Sequence, residues 1–237
     1  MNLYRKTNLF VILILISLST FAQESGDIRQ KIKPPYNIKD YFLLMPDSLL
    51  KIYEGNVSLK QRQLALKYKT LEDLWKHGAY WIIDTLDYRN GYMKLSSTGD
   101  GEGTYFEICY FIKKDKSRKI AVNTTHWDLA ESSSEMKFYS FKNKKWTDIT
   151  SEVLPVISLS DFLNSELAGI IKDNTEKFPV VFALPEKGKT ILAKIDMGTI
   201  DMLLENNKID EVEYRNIKTA AKPIKLIWKD GIFKLQK

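Results

Sequence analysis

Between Tyr80 and Thr150 short apolar runs alternate with polar turns, the pattern of an antiparallel β-meander. Tyr80 to Leu86 is rich in aromatic and β-branched residues, which suit a pleated, half-buried surface. Asn90-Gly91 separates it from Tyr92-Met93-Lys94-Leu95. Asn-Gly between two such runs signals a hairpin, because both residues tolerate positive φ in a type I′ turn. A Gly-rich connection, Ser96 to Gly103, leads into the most strand-like stretch. Thr104 to Lys113 is apolar on both faces apart from Glu107, so it is expected at the centre of the sheet, covered on both sides. Lys114 to Arg118 reads as a charged turn and Lys119 to Trp127 as an alternating strand. Glu135 to Phe141 is another strand, which Asn143-Lys144 turns into Lys145 to Ile149. Strands at this spacing, with no helical pattern between them, indicate antiparallel pairing rather than βαβ units.

Weaker helical patterns flank the meander. Ile38 to Leu44 begins the ordered chain, and Met45-Pro46-Asp47-Ser48 is expected to start a short helix. Ser58-Leu59-Lys60-Gln61 is a capping box that opens a helix to Tyr68. Thr70 opens another, with Leu71, Leu74 and Trp75 at helical spacing and His77-Gly78 at its end. After the meander come a turn or short helix at Ser151 to Leu154 and a weak helical stretch from Ser160 to Leu167. Phe178 to Leu184 and Thr190 to Ile195 are expected to pair as a hairpin. Thr199 to Asn206 and Ile209 to Ala221 carry mixed helical periodicity. Asp230-Gly231 then turns Ile224 to Trp228 into Ile232 to Leu235, a C-terminal β-hairpin. The expected fold is α+β: an antiparallel β-meander sheet flanked by short helices. Residues 38–237 are expected to form one domain, helical over 38–78, meander over 79–150 and mixed beyond 151. Residues 23–37 are polar, contain Pro34-Pro35, and read as a flexible N-terminal arm.

The first residues change the picture of where the chain works. Arg5 and Lys6 precede an apolar run from Leu9 to Leu18, too short to span a bilayer. Thr20-Phe21-Ala22 supplies the small residues of a signal-peptidase site, so residues 1–22 are expected to be a signal peptide cleaved after Ala22. The expectation is an exported protein, periplasmic or secreted, without stable membrane insertion after cleavage. Loss of Arg5 and Lys6 lowers the formal net charge from +6 to +4, with basic and acidic residues interspersed. Nucleic acid is therefore not an expected partner. Cys109 is the one cysteine, which excludes an intrachain disulfide framework; a mature chain of about 215 residues can hold itself by its core.

Catalytic patterns are sparse, and no catalytic residue, metal ligand set or cofactor is expected. The two histidines, His77 and His126, lie beside no G-x-S-x-G nucleophile elbow. One cysteine and two distant histidines do not make a standard zinc site. Asp100-Gly101-Glu102-Gly103 lacks the D-x-D-x-D spacing of a calcium loop and reads as a turn. His77 at a helix end reads as a capping cation. Two places remain as binding candidates. His126-Trp127-Asp128 puts an imidazole, an aromatic platform and a carboxylate where a strand enters a loop; the plainer reading is a partly buried Trp beside a solvated His. Glu107 stands alone in an apolar strand, and burial there would raise its pKa; the plainer reading is a solvent-facing or Lys-paired carboxylate.

Several segments together resemble a group of small exported proteins of unknown function from Gram-negative bacteria. They are Thr20-Phe21-Ala22-Gln23, Asp40 to Asp47, Asn90 to Leu95, Lys137 to Phe141, Lys145 to Thr150 and Leu154-Pro155. The resemblance implies export and a single α+β unit, and carries no site. The sequence thus favours a non-enzymatic binding module of the envelope, with a glycan, peptide or protein partner. The alternatives are a cell-wall or glycan hydrolase with acid–base residues among Glu107, His126 and Asp128, and an inhibitor of an extracellular enzyme.

Overall fold

A computed structural model describes residues 28–52, 55–97, 102–128, 132–176 and 178–236. The expected signal peptide, residues 23–27 of the expected arm and Asp100-Gly101 of the Gly-rich connection lie outside these residues.

Asn37 starts α1 (Ile38–Leu44) with a full capping box: its side chain accepts from the Asp40 amide while the Asp40 carboxylate accepts from the Asn37 amide. Asp47–Leu49, expected to open a helix, is a single 3₁₀ turn. A minimal ladder follows, β1 (Lys51–Ile52) with β2 (Gly55–Asn56), and then α2 (Leu59–Lys67) and α3 (Leu71–Lys76). The capping box expected at Ser58 forms only in part. The Ser58 hydroxyl accepts from the Gln61 amide, but the Gln61 side chain instead donates to Gly78 O at 2.8 Å and accepts from the Tyr80 amide. That bond fastens α2 to the start of the sheet.

The meander is one six-stranded antiparallel sheet in sequence order. Its strands are β3 (Trp81–Asp87), β4 (Tyr92–Ser97), β5 (Gly103–Ile112), β6 (Arg118–Trp127), β7 (Ser132–Lys142) and β8 (Lys145–Asp148). The β3–β4 connection is not the expected two-residue turn. Asp87 pairs with Tyr92 across a four-residue loop, because the Asp87 carboxylate takes the Asn90 amide and side chain and folds the loop back. Asn143-Lys144 and Asp230-Gly231 do form two-residue turns, with positive φ at both central residues.

Strand alternation gives the central sheet two apolar faces, as expected for β5. Phe106, Ile108, Ile120, Val122 and Tyr139 face α1 and α2, packing on Phe42, Met45 and Ala65. Tyr92, Cys109, Phe111, Ala121 and Phe138 face the opposite way, into a second core. That core is closed by the C-terminal third of the chain: α4 (Thr150–Val153), α5 (Ser165–Asn174), β9 (Val180–Ala183), β10 (Thr190–Ile195), α6 (Met197–Glu205), α7 (Glu211–Ala220), β11 (Ile224–Lys229) and β12 (Ile232–Gln236). Its four strands make a second antiparallel sheet, ordered β12-β11-β10-β9. The sequence showed its two hairpins separately. Their union, through β10 pairing with β11 across two intervening helices, carries no local signal. The weak helical stretch expected to end near Leu167 is instead a 3₁₀ turn at Leu159–Asp161 followed by α5, which runs on to Asn174.

The segment expected as an arm makes contacts from Ile28 onward. Residues 28–31 are helical. Arg29 donates to Leu43 O and Met45 O, each at 3.3 Å. Tyr36 packs edge-on against Phe141, and its carbonyl accepts from Arg118.

Candidate functional site

Glu107 lies on β5 opposite Lys94 of β4 and Asn123 of β6. It is buried, 6% exposed, on the face turned to the second core. Three donors meet its two oxygens. The Tyr92 hydroxyl donates to Oε1 at 2.9 Å; Asn123 Nδ2 and the Leu184 amide donate to Oε2 at 2.8 and 3.3 Å. Asn123 Nδ2 also reaches Phe182 O at 2.9 Å. Burial raises the Glu107 pKa, opposed by the bonds from Asn123, Tyr92 and Leu184. The same burial, with the carboxylate beside it, pushes the Tyr92 hydroxyl far up. The Lys94 ammonium sits 4.4 Å over the Tyr105 ring instead of bonding the carboxylate. Chemically the cluster is a polar strut: one carboxylate ties β4, β5 and β6 to the chain at the end of β9, with its lone pairs directed to protein donors. Burial also raises the Cys109 thiol well above its usual value, which holds it protonated.

His126 stands on the other face of the same sheet. It pairs with Thr104 across β5–β6, and the Thr104 hydroxyl is 2.7 Å from Nδ1. Partial burial lowers its pKa, and the Glu135 carboxylate opposes that shift. Glu135 itself pairs with Lys137 at 2.7 Å. Because side chains alternate along β6, Trp127 returns to the Glu107 face, but four residues along the strand from Asn123, about 13 Å away. Its ring covers Gly103, where an added Cβ would come within 2.7 Å of it. Asp128 is exposed just beyond β6. The structure therefore joins His126 with Thr104 and Trp127 with Gly103. It does not join Glu107 with His126, since the sheet lies between them. His77, expected to cap α3 as a cation, stacks on Tyr68 with ring centres 4.3 Å apart.

The local pattern did not reveal a groove of about 530 Å³ at the N-terminal end of the chain. It lies between residues 28–33, α1 and α2. Ile28, Ile32, Leu43 and Leu66 give it apolar walls, and Lys31, Lys33, Lys39 and Lys67 stand around it with Asp40 as the acidic member. Each contributing segment reads alone as an ordinary amphipathic surface; the one hint was Lys31-Ile32-Lys33 ahead of Lys39, basic residues at an apolar stripe. Among the described residues no cluster of three or more His, Cys, Asp or Glu is placed to hold a metal ion.

Fold and cavities define an α+β protein in which a six-stranded antiparallel meander carries helices on one face and a four-stranded sheet on the other. No family model and no curated protein sequence matches the chain. Among solved structures, the chain is similar to a domain of an uncharacterized protein from Porphyromonas gingivalis W83. The TM-score is 0.53 at 18% identity, over 84% of this chain and 97% of that one, a likeness of fold alone.

Proposed function

We propose that the chain is exported and acts as a non-enzymatic binding module of the bacterial envelope, residues 38–237 working as one α+β unit after a signal peptide. Its resemblance to small exported Gram-negative proteins is part of the same proposal. The observation that carries the binding reading is the fate of the acid–base candidates. Glu107 spends its oxygens on Tyr92, Asn123 and Leu184, and His126 lies across the sheet from it. A hydrolase needs such groups around one substrate atom, whereas a preformed concave groove suits a receptor. Export is supported by the charged and apolar order of residues 5–22.

The test is a thermal-shift screen of the chain from Gln23 against glycans, peptidoglycan fragments, peptides and amphiphiles, run beside hydrolysis assays on the same compounds. A ligand of the native state raises the melting temperature without being turned over. Turnover of any of them that is lost in His126→Ala or Glu107→Gln would replace this reading with the hydrolase one. Cell fractionation checks export: a full-length chain remaining in the cytoplasm would refute it.

A further inference from the structure

The geometry points to a ligand class for the groove between residues 28–33, α1 and α2: a free, single-chain anionic amphiphile, an acyl tail on the apolar walls with its carboxylate among the lysines. This rests on the binding-module reading and narrows it. Ile28, Ile32 and Leu66 are only half-buried, so they leave apolar surface facing about 530 Å³ of open groove. A small hydrophilic anion would leave that surface wet. A neutral hydrocarbon would leave the rim unused.

The rim has a clear sign. Lys33, Lys39 and Lys67 stand there with one acid, and that acid is already engaged: the Asp40 carboxylate accepts from the Asn37 amide at 2.8 Å to cap α1. Lys33 and Lys39 have no ion-pair partner among the described residues. The Lys67 ammonium rests 4.9 Å over the Tyr68 ring, a contact that leaves its positive charge uncompensated. The groove is also held open by packing. Arg29 bonds the carbonyls of Leu43 and Met45, fixing the segment that carries Ile28 and Ile32 beside the end of α1. Its volume falls within the range of preformed small-molecule sites, about 300–1,000 Å³.

The probe is dodecanoate, titrated by calorimetry into the chain from Gln23, beside dodecanol and hexanoate. Dodecanoate binds most tightly, dodecanol about tenfold more weakly for want of the charge, and hexanoate more weakly again for want of the tail. The dodecanoate and hexanoate affinities fall with added salt, and the dodecanol affinity does not. The triple variant Lys33→Glu/Lys39→Glu/Lys67→Glu weakens dodecanoate by roughly tenfold or more, with an unchanged melting temperature showing that it folds. Ile32→Ser weakens dodecanoate and dodecanol alike. Equal dodecanoate affinity in the triple variant overturns the proposal. So does binding only to phosphatidylglycerol vesicles, which assigns the lysines to a membrane surface. So does dodecanoate binding that appears only in Glu24→Gln/Asp27→Asn, which makes the chain's own preceding residues the occupant. Absence of dodecanoate binding together with a different ligand whose thermal shift the triple variant abolishes would sink this ligand class and leave the module standing. Absence of any ligand would sink both.

Discussion

Replacing Glu107 by alanine tests the polar strut between the sheets. The change leaves the Tyr92 hydroxyl and the Leu184 amide without their acceptor, while Asn123 Nδ2 keeps Phe182 O. Each stranded buried donor costs about 1–3 kcal/mol, so the pair costs about 4 kcal/mol before any cavity is counted. For a domain of this size that is a fall in melting temperature of about 8–16 °C. Glu107→Gln should cost about 1 kcal/mol or less. Its oxygen can take the Asn123 and Leu184 donors, and its amide can donate to the Tyr92 oxygen, since a phenol hydroxyl serves as donor or acceptor. Urea unfolding at neutral pH gives both values from the shift in midpoint at constant slope. The reasoning fails if Glu107→Ala costs less than about 1 kcal/mol, or if glutamine is as damaging as alanine.

The raised pKa of Glu107 sets the sign of a pH effect: its folded form holds a proton more tightly than the unfolded chain, so its stability contribution is complete below the ordinary glutamate pKa and declines as pH rises towards the folded value. Wild type should therefore lose ground to Glu107→Gln over that window, and a pH-independent difference between the two would refute the burial argument. Arg62→Met should cost about 3 kcal/mol in urea unfolding, because the buried guanidinium supplies Phe42 O, Met45 O and Asp47. Arg62→Lys should recover less than half of it, since an ammonium lacks the fork; full recovery would show that charge alone matters there. Gly91→Ala should cost about 2 kcal/mol or more, from φ of +67° and a Cβ placed 2.3 Å from the Tyr110 ring. Gly169→Ala in α5, where an added Cβ meets nothing within 4 Å, should gain about 0.5–1 kcal/mol, and thermal melts that rank the two the other way would refute this reading of the glycines.

The meander was legible because its signal is local. An apolar run broken only by Glu107 identifies a strand covered on both sides, and β5 is that strand, with Phe106 and Ile108 towards the helices and Cys109 and Phe111 towards the second core. The environment of Glu107 was not legible to the same depth. One of its partners, the Leu184 amide, lies 77 residues away, and no pattern within a strand foretells it. Lys94 is the cross-strand neighbour that the plainer reading required, yet it turns to Tyr105. The β3–β4 hairpin shows a nearer failure: Asn90-Gly91 named the place of the turn, and the Asp87 side chain chose its length. The groove is built from three segments, so its charge and its apolar walls become one feature only after α1 and α2 have packed.

The two-faced sheet also has a consequence for the order in which the molecule can be completed. All six meander strands are complete by Asp148, but Trp228 and Phe233 close the core on the second face, and the bonds from Trp228 to Ile112 and from Lys114 to Asp230 each span 116 residues. At synthesis rates of 5–20 residues per second, the residues that cover that face follow Asp148 by roughly 4–17 s. Until then Phe111, Phe138 and Cys109 lack the cover that Trp228 and Phe233 bring, so the second core is the last part of the molecule that can close.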